Sequence, residues 1–153
     1  MIKKIAYLAL VLIILSSCTG VATTKPSSNG EDKTNLLKER ATAFWQAMMA
    51  RDWDKVYDMY DPFFRAKVSS DFFSGRKIPI YYKSFEIGEV NIKGNVALVN
   101  VKLIYTIDDV GKFGQKIKIE DADKSFAEKW LFVDNNWYKQ FEDHITGGTF
   151  AYY

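Results

Sequence analysis

The chain carries one cysteine, Cys18, and one histidine, His144, so chemistry that needs several soft ligands starts from very little. A zinc site takes three or four His, Cys or carboxylate ligands, and this set does not supply the usual combination. Asp121-x-Asp123-x-Ser125 has the spacing that opens a calcium loop, yet its sixth position is Phe126 and its twelfth Phe132. Such a loop needs glycine at the first of those places and a bidentate glutamate at the second. Glu120, Asp121 and Asp123 therefore read as a solvated acidic turn. Gly147-Gly148 lacks the lysine and the following helix of a phosphate loop. No serine sits in a nucleophile elbow, and His144, beside Asp143, reads as a solvated polar residue. These motifs imply no metal and no cofactor.

Cys18 has a context of its own. Lys3 and Lys4 make a positive start, Ile5 to Leu15 is an unbroken apolar run of 11 residues, and small residues follow. That is the pattern of a secretory signal. The run is too short to span a bilayer, which takes ~20 apolar residues. With no second cysteine to pair with, a free thiol in an oxidising compartment would be a liability. Leu15-Ser16-Ser17-Cys18 resembles the lipobox of bacterial lipoproteins. The resemblance implies that residues 1–17 are a signal peptide and that Cys18 is the lipid attachment site, with membrane contact through its acyl chains. Several chains are what make such an anchor stable. Thr19 rather than aspartate follows the cysteine, which by the same resemblance places the protein in the cell envelope, at the periplasmic face of the outer membrane in a Gram-negative host. Residues 18–33, rich in Ser, Thr and Gly, read as the lipidated N-terminus and a flexible tether, spanning on the order of 20 Å as a coil.

Removal of residues 1–17 leaves 136 of the 153 residues, the size of one domain. The two signal lysines leave with them, so the formal charge falls from +2 to 0 and gives no footprint for nucleic acid. Without disulfides the core must come from side chains alone. The 11 Phe, 9 Tyr and 4 Trp supply much of it, because large rings bury much area per residue.

Thr34 to Arg51 has no Gly or Pro, and Leu37, Ala41, Phe44 and Met48 recur on one helical face. Thr34 or Asn35 can cap this helix. Asp52 breaks it and caps a second, Trp53 to Tyr60, and Asp61-Pro62 opens a third short turn. Ser69 to Lys77 reads as loop. From Ile80 the period becomes two. Tyr82 to Lys93 and Val96 to Ile107 read as a hairpin around Gly94-Asn95, with a two-residue or a three-residue loop. Asp108 to Gly114 is a loop, Lys116 to Glu120 extends an edge, and Ser125 to Val133 is a third major strand. Asn135-Asn136 as a turn into Trp137 to Asp143 would set Lys129 opposite Glu142 and Trp130 opposite Phe141. The order predicts an α+β domain over residues 34–143, N-terminal helices packed on a curved antiparallel sheet of about four strands, with residues 144–153 as a tail.

Phe44-Trp45-Gln46-Ala47, Arg51-Asp52-Trp53, Val56 to Pro62 and the closing Trp130-Leu131-Phe132-Val133 with Trp137-Tyr138-Lys139 resemble the nuclear transport factor two-like (SnoaL-like, cystatin-like) superfamily. The resemblance implies a cone-like sheet around a long helix, often with a pocket, and licenses no reaction by itself. Some members are isomerases or cyclases that use a carboxylate with polar partners. By that analogy Asp58, Asp61, Glu86 and Glu128 are the acid–base candidates, with Tyr57 or Tyr105 as donors. Trp45, Tyr57, Tyr60, Phe64, Tyr105, Trp130 and Phe141 are the candidate pocket lining. The expectation is a non-catalytic module for a small apolar ligand or an envelope partner, with a carboxylate-based pocket enzyme as the alternative. A carboxylate buried on the concave face beside a tyrosine, its pKa raised by desolvation, would favour the enzyme. A closed aromatic core would favour binding or a structural role.

Overall fold

Four helices precede four strands in the computed structural model, which describes residues 30–75, 79–110 and 114–141. The signal segment, Cys18, Thr19, His144 and Gly147-Gly148 lie outside the described residues. The helices are α1 (Gly30–Ala50), α2 (Trp53–Met59), α3 (Pro62–Arg65) and α4 (Ser70–Ser74). The strands β1 (Ile80–Lys93), β2 (Val96–Val110), β3 (Lys116–Val133) and β4 (Asn136–Lys139) form one antiparallel sheet in the order β1-β2-β3-β4. The sheet is curved and unclosed, and α1 lies across its inner face through Leu37, Ala41, Phe44, Trp45 and Met48, all buried. No helix among the described residues is long and apolar enough to cross a membrane.

Helix α1 starts four residues before the expected Thr34. Glu31 and Asp32 in its first turn favour the positive end of the helix dipole. Thr34 does not cap: its hydroxyl donates back to the carbonyl of Gly30 at 2.9 Å. The early turn is tied to the sheet, since Trp137 Nε1 donates to the Lys33 carbonyl at 3.0 Å and the Lys33 ammonium sits over the Phe132 ring. At the other end Arg51 takes a left-handed φ of 58°, and the N–H groups of Arg51 and Asp52 return to the carbonyls of Met48 and Ala47. That closure usually takes glycine. Asp52 caps α2 as expected, accepting from the Lys55 N–H.

Ser69 to Lys77 is not all loop. Ser69 accepts from Phe72 N–H as an N-cap, and α4 brings Phe73 into the core. The acidic segment is also not a turn. Strand β3 runs unbroken through it, with Asp121 left-handed at φ 52° where two residues of β3 oppose Thr106 of β2. Such a bulge bends a strand without ending it. Asp108 to Gly114 is likewise shorter as a loop than expected, because β2 pairs onward to Val110 opposite Lys116. The first hairpin takes the two-residue loop, Lys93 facing Val96, with Gly94 at φ 63°.

The last hairpin turns one residue earlier than Asn135-Asn136. Asp134 and Asn135 are both left-handed, at φ 49° and 61°, the pair of positive angles that a tight hairpin turn demands. Trp130 therefore faces Lys139 instead of Phe141, and Leu131 faces Tyr138. This register brings a lysine to the middle of the inner face.

Asp61 joins the two halves. One carboxylate oxygen accepts the N–H groups of Phe63 and Phe64, each at 3.0 Å, and the other accepts that of Phe141 at 3.3 Å. Asp61→Ala would leave these donors without partners in a buried place, a loss of about 3 kcal/mol from cap and unmet donors together. Asp61→Asn, which keeps an acceptor, should lose less than half of that in urea unfolding.

Candidate functional site

On the inner face, Glu128 of β3 lies between Val99 of β2 and the edge strand, below the aromatic side of α1. It is fully buried. Trp130 Nε1 donates to one carboxylate oxygen at 3.2 Å, and the Lys139 ammonium stands 3.3 Å from the other. The lysine is itself buried, and its charge also faces the rings of Phe44 at 5.4 Å and Tyr60 at 6.0 Å. The Trp45 indole N–H favours the carboxylate, although it closes no well-formed hydrogen bond.

Burial pushes the Glu128 carboxyl above the usual carboxylate range; Lys139, Trp130 and Trp45 pull it back without cancelling that cost. Across the sheet Tyr82 of β1 packs edge-on against Trp45 at 5.2 Å. Its hydroxyl is pushed up to about 12, first by burial and then by the negative charge on Glu128 and the neighbouring Tyr105. Burial thus raises both acids, Glu128 and Tyr82, and the charge on Glu128 adds to the rise at Tyr82. A carboxyl of this kind could hold or release a proton, but general acid–base work also needs contact with a substrate. With no exposed surface, Glu128 is walled off by the rings around it.

Six of the seven expected lining aromatics fall into two groups. Trp45 and Trp130 flank Phe44, at 5.5 and 6.1 Å, above the ion pair. Tyr60, Phe64 and Phe141 pack together, with Phe64 and Phe141 stacked at 4.2 Å, and Tyr57 joins them through Phe64. Phe44 against Tyr60 bridges the groups at 5.5 Å. Tyr105 is half-buried further along β2, opposite Tyr82. Tyr57 gives its hydroxyl to the carbonyls of Arg65 and Val68, at 3.1 and 2.6 Å, and so holds α3 and α4 in place.

The other carboxylate candidates do not join Glu128. Asp58 is exposed on α2, Asp61 is the cap described above, and Glu86 is exposed on the outer face opposite Lys102. A shallow depression of about 370 Å³ does lie on that outer face, floored by Gly88, Asn100, Ser125 and Ala127, and none of the seven aromatics lines it. Among the described residues no three His, Cys, Asp or Glu side chains gather as a metal site.

Lys139 and Tyr82 are the members of the inner cluster that the residue pattern did not single out. A signal existed for the lysine: it sits between Trp137 and Phe141 in an alternating run, where the inner face would otherwise be apolar.

By sequence the chain matches no family model and no curated protein. Among solved structures it is similar to a candidate dehydratase of the NTF2-like family from Streptomyces avermitilis, with a TM-score of 0.50 and 10% identity over 72% of this chain and 93% of that one. A candidate NTF2-like transpeptidase from Campylobacter jejuni is similar at a TM-score of 0.45 and 16% identity, covering 69% of this chain and 98% of that one. The first likeness, with the helices-then-meander order, establishes the nuclear transport factor two-like fold. Identity this low leaves the chemistry to this chain's own residues.

Proposed function

We propose that the chain is an exported envelope protein, anchored by acyl chains on Cys18, whose domain is a non-catalytic module for a small apolar ligand or an envelope partner. Enclosure of Glu128 carries the domain reading: the one candidate carboxylate with acid–base character is ion-paired to Lys139 and sealed under Trp45 and Trp130. The basic start, the apolar run and Leu15-Ser16-Ser17-Cys18 support the anchoring, and Thr19 favours the outer membrane in a Gram-negative host.

A second reading, an isomerase- or cyclase-like enzyme, draws on the raised Glu128 carboxyl beside Tyr82. The two separate on Glu128→Gln. An extract of the producing cells incubated with the wild-type chain or with this variant should show the same metabolites. A compound consumed by the wild type and untouched by Glu128→Gln would overturn the non-catalytic reading. Anchoring has its own test. Radiolabelled palmitate should enter the wild-type chain and be absent from Cys18→Ala, and equal label in both would end that reading.

A further inference from the structure

Away from the inner cluster, two arginines converge on one tyrosine of β4. Arg40 of α1 donates Nε to the Trp137 carbonyl at 3.1 Å, and Arg65 of α3 donates Nε to the Tyr60 carbonyl at 3.0 Å. Their guanidinium carbons stand 5.4 and 5.5 Å from the ring centroid of Tyr138. Each arginine is thus fixed at Nε, which leaves the paired terminal nitrogens, the end of the fork that grips an oxyanion. Among the described residues neither arginine has a carboxylate partner, the ion pairs being Lys83–Asp121, Lys118–Glu120 and Lys139–Glu128. Asp61, the cap of α3, already accepts three backbone N–H groups.

We propose that Arg40, Tyr138 and Arg65 form an oxyanion-binding site for a phosphate group, whether free phosphate or the phosphodiester of a lipid headgroup. Three elements, α1, α3 and β4, each supply one member, and all three side chains are half-buried. Two like charges held on one ring repel, and part of their hydration is lost. The Arg40 guanidinium is accordingly held below its ordinary value, by burial first, with Arg65 adding to the effect and Tyr138 opposing it. A bound oxyanion would offset both costs at once. Tyr138 orients the cations by its face without competing for the anion, since cations favour the ring face.

The test uses the full chain in detergent, with the arginine Nε signals followed by NMR at constant ionic strength. Inorganic phosphate should shift the signals of Arg40 and Arg65 saturably, and Arg40→Gln or Arg65→Gln should weaken binding about tenfold or more, the worth of a charge-assisted contact. Arg40→Lys and Arg65→Lys, which keep charge and lose the fork, should fall between, and they keep the experiment decisive if a glutamine variant unfolds. Tyr138→Phe should bind as the wild type does. Dihexanoyl phosphatidylglycerol below its micellar concentration supplies the headgroup arm, with dihexanoyl phosphatidylcholine for comparison. Tighter binding of phosphatidylglycerol than of phosphate assigns the headgroup, and the reverse assigns the free ion. Absence of a saturable shift with either overturns the proposal. So does a shift unchanged in both glutamine variants, or one that emerges only in the Glu142→Gln/Asp143→Asn chain, since the chain's own carboxylates would then be the occupants.

Discussion

Lys139→Met is expected to destabilise the domain by about 3–5 kcal/mol at neutral pH, the cost of stranding a buried charge. The carboxylate of Glu128 would lose its cation and keep its burial. The same loss should shrink on acidification, and the sign follows from proton linkage. The Glu128 carboxyl titrates above its unfolded value, so the folded chain binds a proton more readily than the unfolded one. Stability from this group is therefore greatest at low pH and declines as pH rises from the ordinary glutamate range through the raised folded value. Removal of Lys139 lifts the folded value further and widens that window. Glu128→Gln strands the ammonium instead, and its cost does not recede on acidification. The double variant Glu128→Leu/Lys139→Met should lie within about 1 kcal/mol of the wild type or above it, because replacing a whole buried pair by apolar side chains removes both desolvation costs. Urea unfolding of the four chains at pH 5 and pH 7 reads all of this. A Lys139→Met chain as stable as the wild type at pH 7 would show that the pair is not enclosed as described.

Phe44→Asp is expected to leave no cooperative folded state. The ring is buried at 1% exposure and meets Trp45, Tyr60 and Trp130 edge-on. Truncating such a ring costs about 3–5 kcal/mol, and an unpaired carboxylate adds several more. Together these reach the whole stability of an ordinary domain, about 5–15 kcal/mol. Phe44 also underlies the Lys139 ammonium, so its loss removes a face from the ion pair. Phe44→Leu, which keeps an apolar side chain and adds no charge, should remain folded with a loss of about 1–2 kcal/mol. Circular dichroism melts of the three chains provide the measurement, and a Phe44→Asp transition at the wild-type temperature would overturn the packing of α1.

The long elements were legible because their patterns run for many residues. Leu37, Ala41, Phe44 and Met48 mark one face of α1, and Val96 to Ile107 has the β-branched content of a strand. The five residues of α4 are too few to show a period, so only Ser69 as a cap could have revealed it. The last hairpin failed for a sharper reason. Asp134, Asn135 and Asn136 all favour turns, and the two alternative loops shift the cross-strand partners by two residues. A shift of two keeps the same side chains on the inner face, so the apolar pattern cannot choose between them. Only the backbone angles of Asp134 and Asn135 decide, and with them the arrival of Lys139 at Trp130 beside Glu128. Glu128 was visible as a candidate; its partner depended on that register.

The two rims of the sheet differ in what they offer to another chain. At the β4 rim, Tyr60 bridges Lys139 in parallel and the Asp61 N–H takes the Lys139 carbonyl, so a visiting strand finds that ladder already engaged. The β1 rim carries no partner strand among the described residues. An exposed edge of 14 residues would ordinarily invite aggregation or domain exchange. Here irregularities between Tyr82 and Ser84 and between Ile87 and Val90 divide it, so that no regular stretch exceeds four residues. Lys83, Glu89 and Lys93 add exposed charges along it. Strand addition at the β1 rim is thus limited to segments too short to template a stable ladder.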